Sequence, residues 1–317
     1  MSGARFASAF AADLEGYLAF KQNMGCYGAS RIRYLQQFDA WCARHGRTVF
    51  DQDTVEGWVR SRLETSGRYR SWMSYIRDFG RWLQATGHGD ACVLSDRWKA
   101  PFLPPRPYLL SRQEIDGFFT AAARLGTSSP WRWQAAAFFT LMHSCGLRTG
   151  ETRALQAAHV DLDYENIDIV WSKGNRSRRL PVTAQVARVL DACDQQSRAR
   201  FPGRANFFVS AAGNQVTGAT AAQVFARIWD EAGLPRPLAG RQPVPCDFRH
   251  HFAYACIERW RIQGKDVHAM LPCLSRYMGH ASFDSTYSYV HTSPDFLDAY
   301  NGITRASQDL LPEVGFG

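Results

Sequence analysis

Five residues spread along this chain suit one kind of chemistry. Arg148 stands in Gly146-Leu147-Arg148-Thr149-Gly150-Glu151, and Lys173 in the basic turn Trp171-Ser172-Lys173-Gly174-Asn175-Arg176. Arg249 lies in Cys246-Asp247-Phe248-Arg249-His250, His280 follows Met278-Gly279, and Tyr289 comes later still. Breaking a phosphodiester requires a nucleophile, donors for the non-bridging oxygens and an acid for the leaving oxygen. Arginine donates two parallel hydrogen bonds and suits those oxygens. A lysine at a hairpin tip can protonate an alkoxide as it forms. A tyrosine hydroxyl, with a free pKa near 10, can attack once neighbouring positive charge helps it ionise. No carboxylate cluster suited to magnesium accompanies the set, which points to a route without a metal.

Singly, each residue has an ordinary explanation. Arg148 and Glu151 are an i,i+3 pair at a helix junction. Lys173 is a soluble turn residue. Gly279 is a helix stop with His280 capping behind it. Tyr287 and Tyr289 are half-buried aromatics of a terminal helix. The ordered set carries the weight, and in that order the chain resembles the tyrosine recombinase (phage integrase) family over nearly its whole length.

The resemblance implies roles residue by residue. Gly146 to Glu151 matches the first signature box, Gly-Leu-Arg-x-x-Glu, with Arg148 clamping the phosphate and Glu151 orienting the site. Lys173 matches the mobile lysine of the family's β-hairpin, which protonates the leaving 5′ oxygen. Arg249 matches the second clamp and His280 the histidine that contacts the scissile phosphate. Tyr289 is the nucleophile, favoured over Tyr287 by its spacing from Gly279-His280 and by the following Val290-His291. The second box departs from the family's His-x-x-Arg-His, because Cys246 replaces the first histidine. A free thiol has a pKa of roughly 8.5 against roughly 6.5 for histidine. Cys246 is therefore a poorer base unless Arg148 and Arg249 depress its pKa; it fills the slot sterically and can hydrogen-bond weakly. His250 and His251, as helix neighbours of Arg249, point elsewhere and read as structural.

The implied activity is site-specific strand exchange through a 3′-phosphotyrosyl intermediate, without ATP, metal or other cofactor. The implied partner is double-stranded DNA carrying a specific recombination site, held in a C-shaped clamp. A homo-tetramer on two sites is expected, with the apolar tail from Ser293 to Leu311 docking onto a neighbour; accessory recombinases are a further partner class. Two other readings stay open: a type IB topoisomerase-like enzyme, and a catalytically weak DNA-binding accessory protein. Target sequence and biological role depend on base contacts and genomic context that the motifs do not carry.

These side chains need elements to position them. Apolar residues at helical spacing predict four N-terminal helices: Phe6 to Asn23, Ser30 to Gly46, Asp53 to Leu63 and Tyr69 to Thr86. Asp53-Thr54-Val55-Glu56 reads as a capping box. The opposite faces are basic, and Arg31, Arg33, Arg68, Arg70 and Arg77 are candidate DNA-backbone contacts. Pro101, Pro104, Pro105 and Pro107 mark a linker. The expected organisation is a helical core-binding domain over 1–95, a linker over 96–110 and a catalytic domain with its tail over 111–317. Ser111-Arg112-Gln113-Glu114 is a second capping box. Helices are predicted from Arg112 to Leu125 and Trp131 to Ser144, and again from Ala184 onwards. Alternation from Val160 to Trp171 and from Arg178 to Val182 predicts a three-stranded antiparallel sheet. Its Arg176, Arg178 and Arg179 are further candidate backbone contacts. The fold class is mainly α with this small sheet: a helical domain followed by an α+β domain.

Composition bounds the reading. The 317 residues carry a net charge of +8, from 37 basic and 29 acidic residues, which permits nucleic acid as a partner. Arginine far outnumbers lysine, and its planar fork suits phosphate. The eight cysteines show no Cys-x-x-Cys pair or zinc-ligand spacing. They fit reduced, intracellular usage. Asp13 and Glu15 interrupt the first apolar stretch, and no apolar run approaches the roughly 20 residues of a membrane span. A cytoplasmic protein is expected.

Overall fold

The computed structural model describes residues 6–25, 28–65, 70, 72–98, 107–172, 176–237, 241–280 and 286, with the backbone alone for 171, 172 and 176. It divides into two units, Met1–Pro104 and Pro105–Gly317.

The first unit is built on α1 (Ala11–Asn23), α2 (Ala29–Arg44), α3 (Gln52–Thr65) and α4 (Met73–Ala85). Their apolar stripes meet in an aromatic core. Phe38 packs edge-on against Trp58 at 5.5 Å and Trp58 against Trp72 at 4.8 Å. The start of α3 is capped two residues earlier than the Asp53 box predicts. Asp51 accepts the Thr54 N–H at 2.8 Å. Asp53 falls in the first turn, where its charge suits the helix dipole. Glu56 is buried and pairs with Arg60 at 3.0 Å and with Arg97. A short 3-10 turn, Asp96–Trp98, follows α4, and Trp98 packs on the same core.

Two of the arginines expected to face DNA are cement in this unit. Arg77 is buried, donating to the Leu94 carbonyl at 2.8 Å and the Ser95 carbonyl at 3.2 Å. Arg31 sits 2.8 Å from Asp78, and Tyr17 joins the same knot. A helical stripe of charge gives the face of each residue but not its partner, which here comes from another helix or from the loop after α4. Arg33 is exposed, lying over the Tyr34 ring, and Arg70 donates to the Trp98 carbonyl at 3.4 Å. Arg68 lies outside the described residues.

The second unit opens with α5 (Arg112–Ala123), started by the Ser111–Glu114 capping box, and α6 (Trp131–Ser144). After α7 (Thr149–Ala154) come β1 (Val160–Asp161), β2 (Asn166–Ser172) and β3 (Arg176–Pro181). The sheet is antiparallel in the order β1-β2-β3, with Ile167 opposite both Val160 and Leu180. Then follow α8 (Ala184–Arg200), α9 (Gly218–Glu231), α10 (Cys246–Ile262) and α11 (Val267–Met278). Phe118, Phe139, Phe225 and Phe248 fill the main core. Phe252, Trp260, Leu271 and Met278 pin α11 to α10. The non-helical stretch between α8 and α9 is anchored by a buried amide: Gln134 exchanges hydrogen bonds with the Val209 backbone at 2.7 and 3.1 Å. The architecture is mainly helical with one small antiparallel sheet. The described cysteines are free thiols. Among the described residues, no helix is long and apolar enough to cross a membrane.

Candidate active site

Three guanidiniums of the second unit converge on one carboxylate. Arg148 is the N-cap residue of α7, Arg249 lies in the first turn of α10 and Arg178 projects from β3. Glu151, one turn into α7, is buried between them. It stands 2.7 Å from Arg148, 2.8 Å from Arg178 and 3.9 Å from Arg249. Its Oε2 also accepts the Arg148 backbone N–H at 3.0 Å.

The guanidiniums share a second set of acceptors at the end of α11. The last carbonyls of a helix lack intrahelical donors and carry the negative end of its dipole. Arg178 donates to the Tyr277 carbonyl at 2.7 Å. Arg249 donates to Met278 at 2.8 Å, and Arg148 to Gly279 at 2.8 Å. Arg249 also donates to the Gly146 carbonyl. The turn from α6 into α7, strand β3, the start of α10 and the end of α11 thus meet at one point.

Two glycines make that approach possible. Gly146 has φ 62°, and a Cβ there would lie 2.5 Å from the Phe252 ring. Gly279 has φ 66° and ends α11 in the left-handed conformation; a Cβ there would lie 2.7 Å from Arg178. Only glycine adopts these angles without strain and leaves room for what lies alongside.

The electrostatics favour an anion. Three positive charges surround one carboxylate, leaving an excess of two by simple charge counting. Burial alone would raise the Glu151 carboxyl, but Arg178, the Arg148 N–H and Arg249 outweigh it and hold it below the usual range. His280 is buried beside the cluster and its pKa is pushed down to about 3. Burial is the main cause, followed by Arg249, Arg148 and Arg178. It is therefore neutral at pH 7 and able to donate from one ring nitrogen. Its Nδ1 lies 2.6 Å from Thr286 Oγ1.

Arg178 corrects an expectation. It is not a free backbone contact but a half-buried member of this cluster, since β3 aims it at Glu151. The signal lay in the sequence only as alternation along β3; its partner is 27 residues away. Arg179, on the other face of the strand, is exposed and pairs with Asp168 at 2.8 Å. Cys246 is half-buried. Its thiol is pushed up, first by burial and then by Asp247, so the depression by Arg148 and Arg249 that the sequence allowed does not occur. Burial drives the pKa of His251 down to about 3, and its ring stacks on His143 at 5.1 Å. His250 is pushed down to about 4 by burial, then by Arg241 and Arg249.

Cys246, Asp247 and His250 bring a thiol, a carboxylate and an imidazole within 4.8 Å of one another, a donor set that a soft divalent ion could use. A guanidinium already occupies two of the three. Arg241 lies 2.9 Å from Asp247 and donates to Cys246 Sγ at 3.3 Å. Lys173, Tyr287, Tyr289, the helix expected from Ser282 and the tail from Ser293 to Leu311 lie outside the described residues, as does the side chain of Arg176.

Comparison with known proteins points to one family. Residues 109–295 match the phage integrase family. A Sinorhizobium fredii protein described as an integrase/recombinase, y4rE, is 31% identical over 287 residues, covering 89% of this chain and 88% of that protein. Tyrosine recombinase XerD of Lacticaseibacillus casei is 25% identical, covering 91% of this chain and 95% of its own length. Among solved structures, the XerH site-specific recombinase bound to its difH substrate in a pre-cleavage complex aligns with a TM-score of 0.60 at 18% identity. That match covers 94% of this chain and 85% of XerH.

Proposed function

This chain belongs to the phage integrase family of tyrosine recombinases, enzymes that cut and rejoin DNA, and on that premise we propose that it exchanges strands at a specific site through a 3′-phosphotyrosyl intermediate. The observation that supports this most is the cluster of Arg148, Arg178 and Arg249 around buried Glu151, with its excess positive charge.

In this reading Tyr289 loses its proton to solvent, helped by the surrounding positive charge; its Oη attacks the scissile phosphorus as the bond to the 5′ oxygen breaks, and that oxygen takes a proton from Lys173. Arg148 and Arg249 donate to the non-bridging oxygens, where charge grows in the transition state. Neutral His280 donates a further hydrogen bond. Glu151 holds the guanidiniums against their mutual repulsion. The new bond keeps the energy of the old one, so a 5′ hydroxyl from a partner strand reverses the chemistry without ATP, metal or cofactor. Exposed arginines of the first unit, Arg33 among them, hold the DNA backbone. Four protomers synapse two sites through their tails, as a DNA-bound tetramer is recorded for lambda integrase on a Holliday junction.

The test is a nicked suicide duplex carrying the chain's own recombination site, incubated with EDTA. Wild type is expected to give a covalent adduct on a denaturing gel and Tyr289→Phe none, with Tyr287→Phe unaffected. One observation favours a second reading, a DNA-binding accessory protein: the Cys246 thiol, pushed up by burial, is no base. Tight site-specific binding without any adduct would select that reading.

A further inference from the structure

The second signature box lacks its first histidine, and the structure brings another cation to that slot. Arg241 lies five residues before Cys246, where α10 begins, and its guanidinium reaches the first turn of that helix. It donates to Cys246 Sγ at 3.3 Å and pairs with Asp247 at 2.9 Å.

The anchorage is built into the fold. Asp247 is fully buried, and its carboxylate accepts the Val244 N–H at 2.8 Å and the Tyr108 N–H at 3.2 Å. Those bonds fix the carboxylate in one place, and the carboxylate fixes Arg241. The arginine side chain is 27% exposed, so its head meets solvent while its anchor does not. Arg249 lies in the same first turn of α10, and His250 feels the charge of both arginines. A guanidinium at this point can do what a thiol cannot: it offers several N–H donors in a planar fork that matches phosphate oxygens.

We propose that Arg241 takes over the phosphate-binding part of the missing histidine's task, donating to a non-bridging oxygen of the scissile phosphate beside Arg249. The inference rests on the cleavage reading given above. It assigns Arg241 as a third phosphate clamp, with Asp247 and Cys246 as its seat, and it gives the substitution at Cys246 a physical rationale. A small side chain there leaves space for the guanidinium, whereas an imidazole would compete for it.

The experiment measures single-turnover adduct formation on the suicide duplex for wild type, Arg241→Ala and Arg241→Ala/Cys246→His. Two versions of the duplex are used: an ordinary scissile phosphate, and a methylphosphonate in which a neutral methyl replaces one non-bridging oxygen. Arg241→Ala is expected to slow cleavage of the ordinary phosphate about 100-fold. The deficit should shrink to a few-fold on the methylphosphonate, which no longer carries the charge to be clamped. Cys246→His should recover most of the loss in the Arg241→Ala background. Wild-type rates in Arg241→Ala would overturn the inference, as would an equal deficit on both duplexes, which marks a merely structural arginine. Absence of adduct in wild type itself would instead overturn the cleavage reading, and this inference with it.

Discussion

Both units bury arginines, and they use them in opposite ways. In the first, the guanidiniums are tied to acceptors close to home. Arg31 shares Asp78 with Lys21, and Arg77 spends its donors on the Leu94 and Ser95 carbonyls with Asp96 at 3.4 Å. In the second, Arg148, Arg178 and Arg249 divide a single carboxylate. The first arrangement is cement, since removing a partner leaves an orphaned charge. The second is strained towards an anion, since the missing negative charge is what a phosphate supplies. Burial of an arginine therefore says little about its task; the local count of charges says more.

Breaking the second cluster should have the largest effect. Arg249→Ala is expected to slow single-turnover adduct formation by at least about 1000-fold, while gel-shift binding to the site is kept. A loss under tenfold would remove Arg249 from the clamp. Glu151→Gln comes next: it leaves one buried and two partly buried guanidiniums without their common carboxylate. We expect the second unit to lose about 3–5 kcal/mol of stability. Chemical denaturation checks this, and bound DNA should restore part of the loss because phosphate replaces the carboxylate.

Acid should act on the same unit. Burial holds His143 at about 4 and His251 at about 3, and burial with nearby arginines holds His280 at about 3. All lie below the value near 6.5 of an unfolded chain. Above pH 6.5 both states are neutral and the stability is fully present. Below it the unfolded chain binds protons that the native state refuses, so stability falls as pH drops towards 4. Each histidine contributes a slope of up to about 1.4 kcal/mol per pH unit. Melting temperatures followed from pH 8 to pH 5 should decline below about 6.5; a flat profile would refute the burial of these rings. The smallest effect is expected from Arg33→Ala, an exposed residue. Binding should weaken modestly on all sequences, with the slope of log affinity against log salt reduced by about 1. Unchanged salt dependence would take Arg33 off the DNA.

Much of this was legible in the sequence because it is local. The capping box at Ser111 to Glu114, the bounds of α6 and the left-handed stop at Gly279 each depend on neighbours within a turn. The hidden part is long-range. Nothing in the spacing of β3 says that Arg178 meets Glu151, or that Asp247 seats Arg241 while accepting the Tyr108 N–H from 139 residues away. The basic stripe of the first unit misled for the same reason. Periodicity showed which face Arg31 and Arg77 occupy, whereas their partners come from other elements. Cys246 stood out in the sequence as a gap in a motif, and the cation that sits against it became visible only in three dimensions.

The central contrast is best tested by one paired measurement: Arg148→Lys and Arg77→Lys, each followed for melting temperature and for single-turnover cleavage at saturating DNA. Lysine keeps the charge but loses the planar fork. The account predicts that Arg148→Lys cleaves about 100-fold more slowly with a nearly unchanged melting temperature. Arg77→Lys should melt several degrees lower yet cleave at the wild-type rate. Wild-type cleavage by Arg148→Lys, or a loss of cleavage in a normally stable Arg77→Lys, would contradict it.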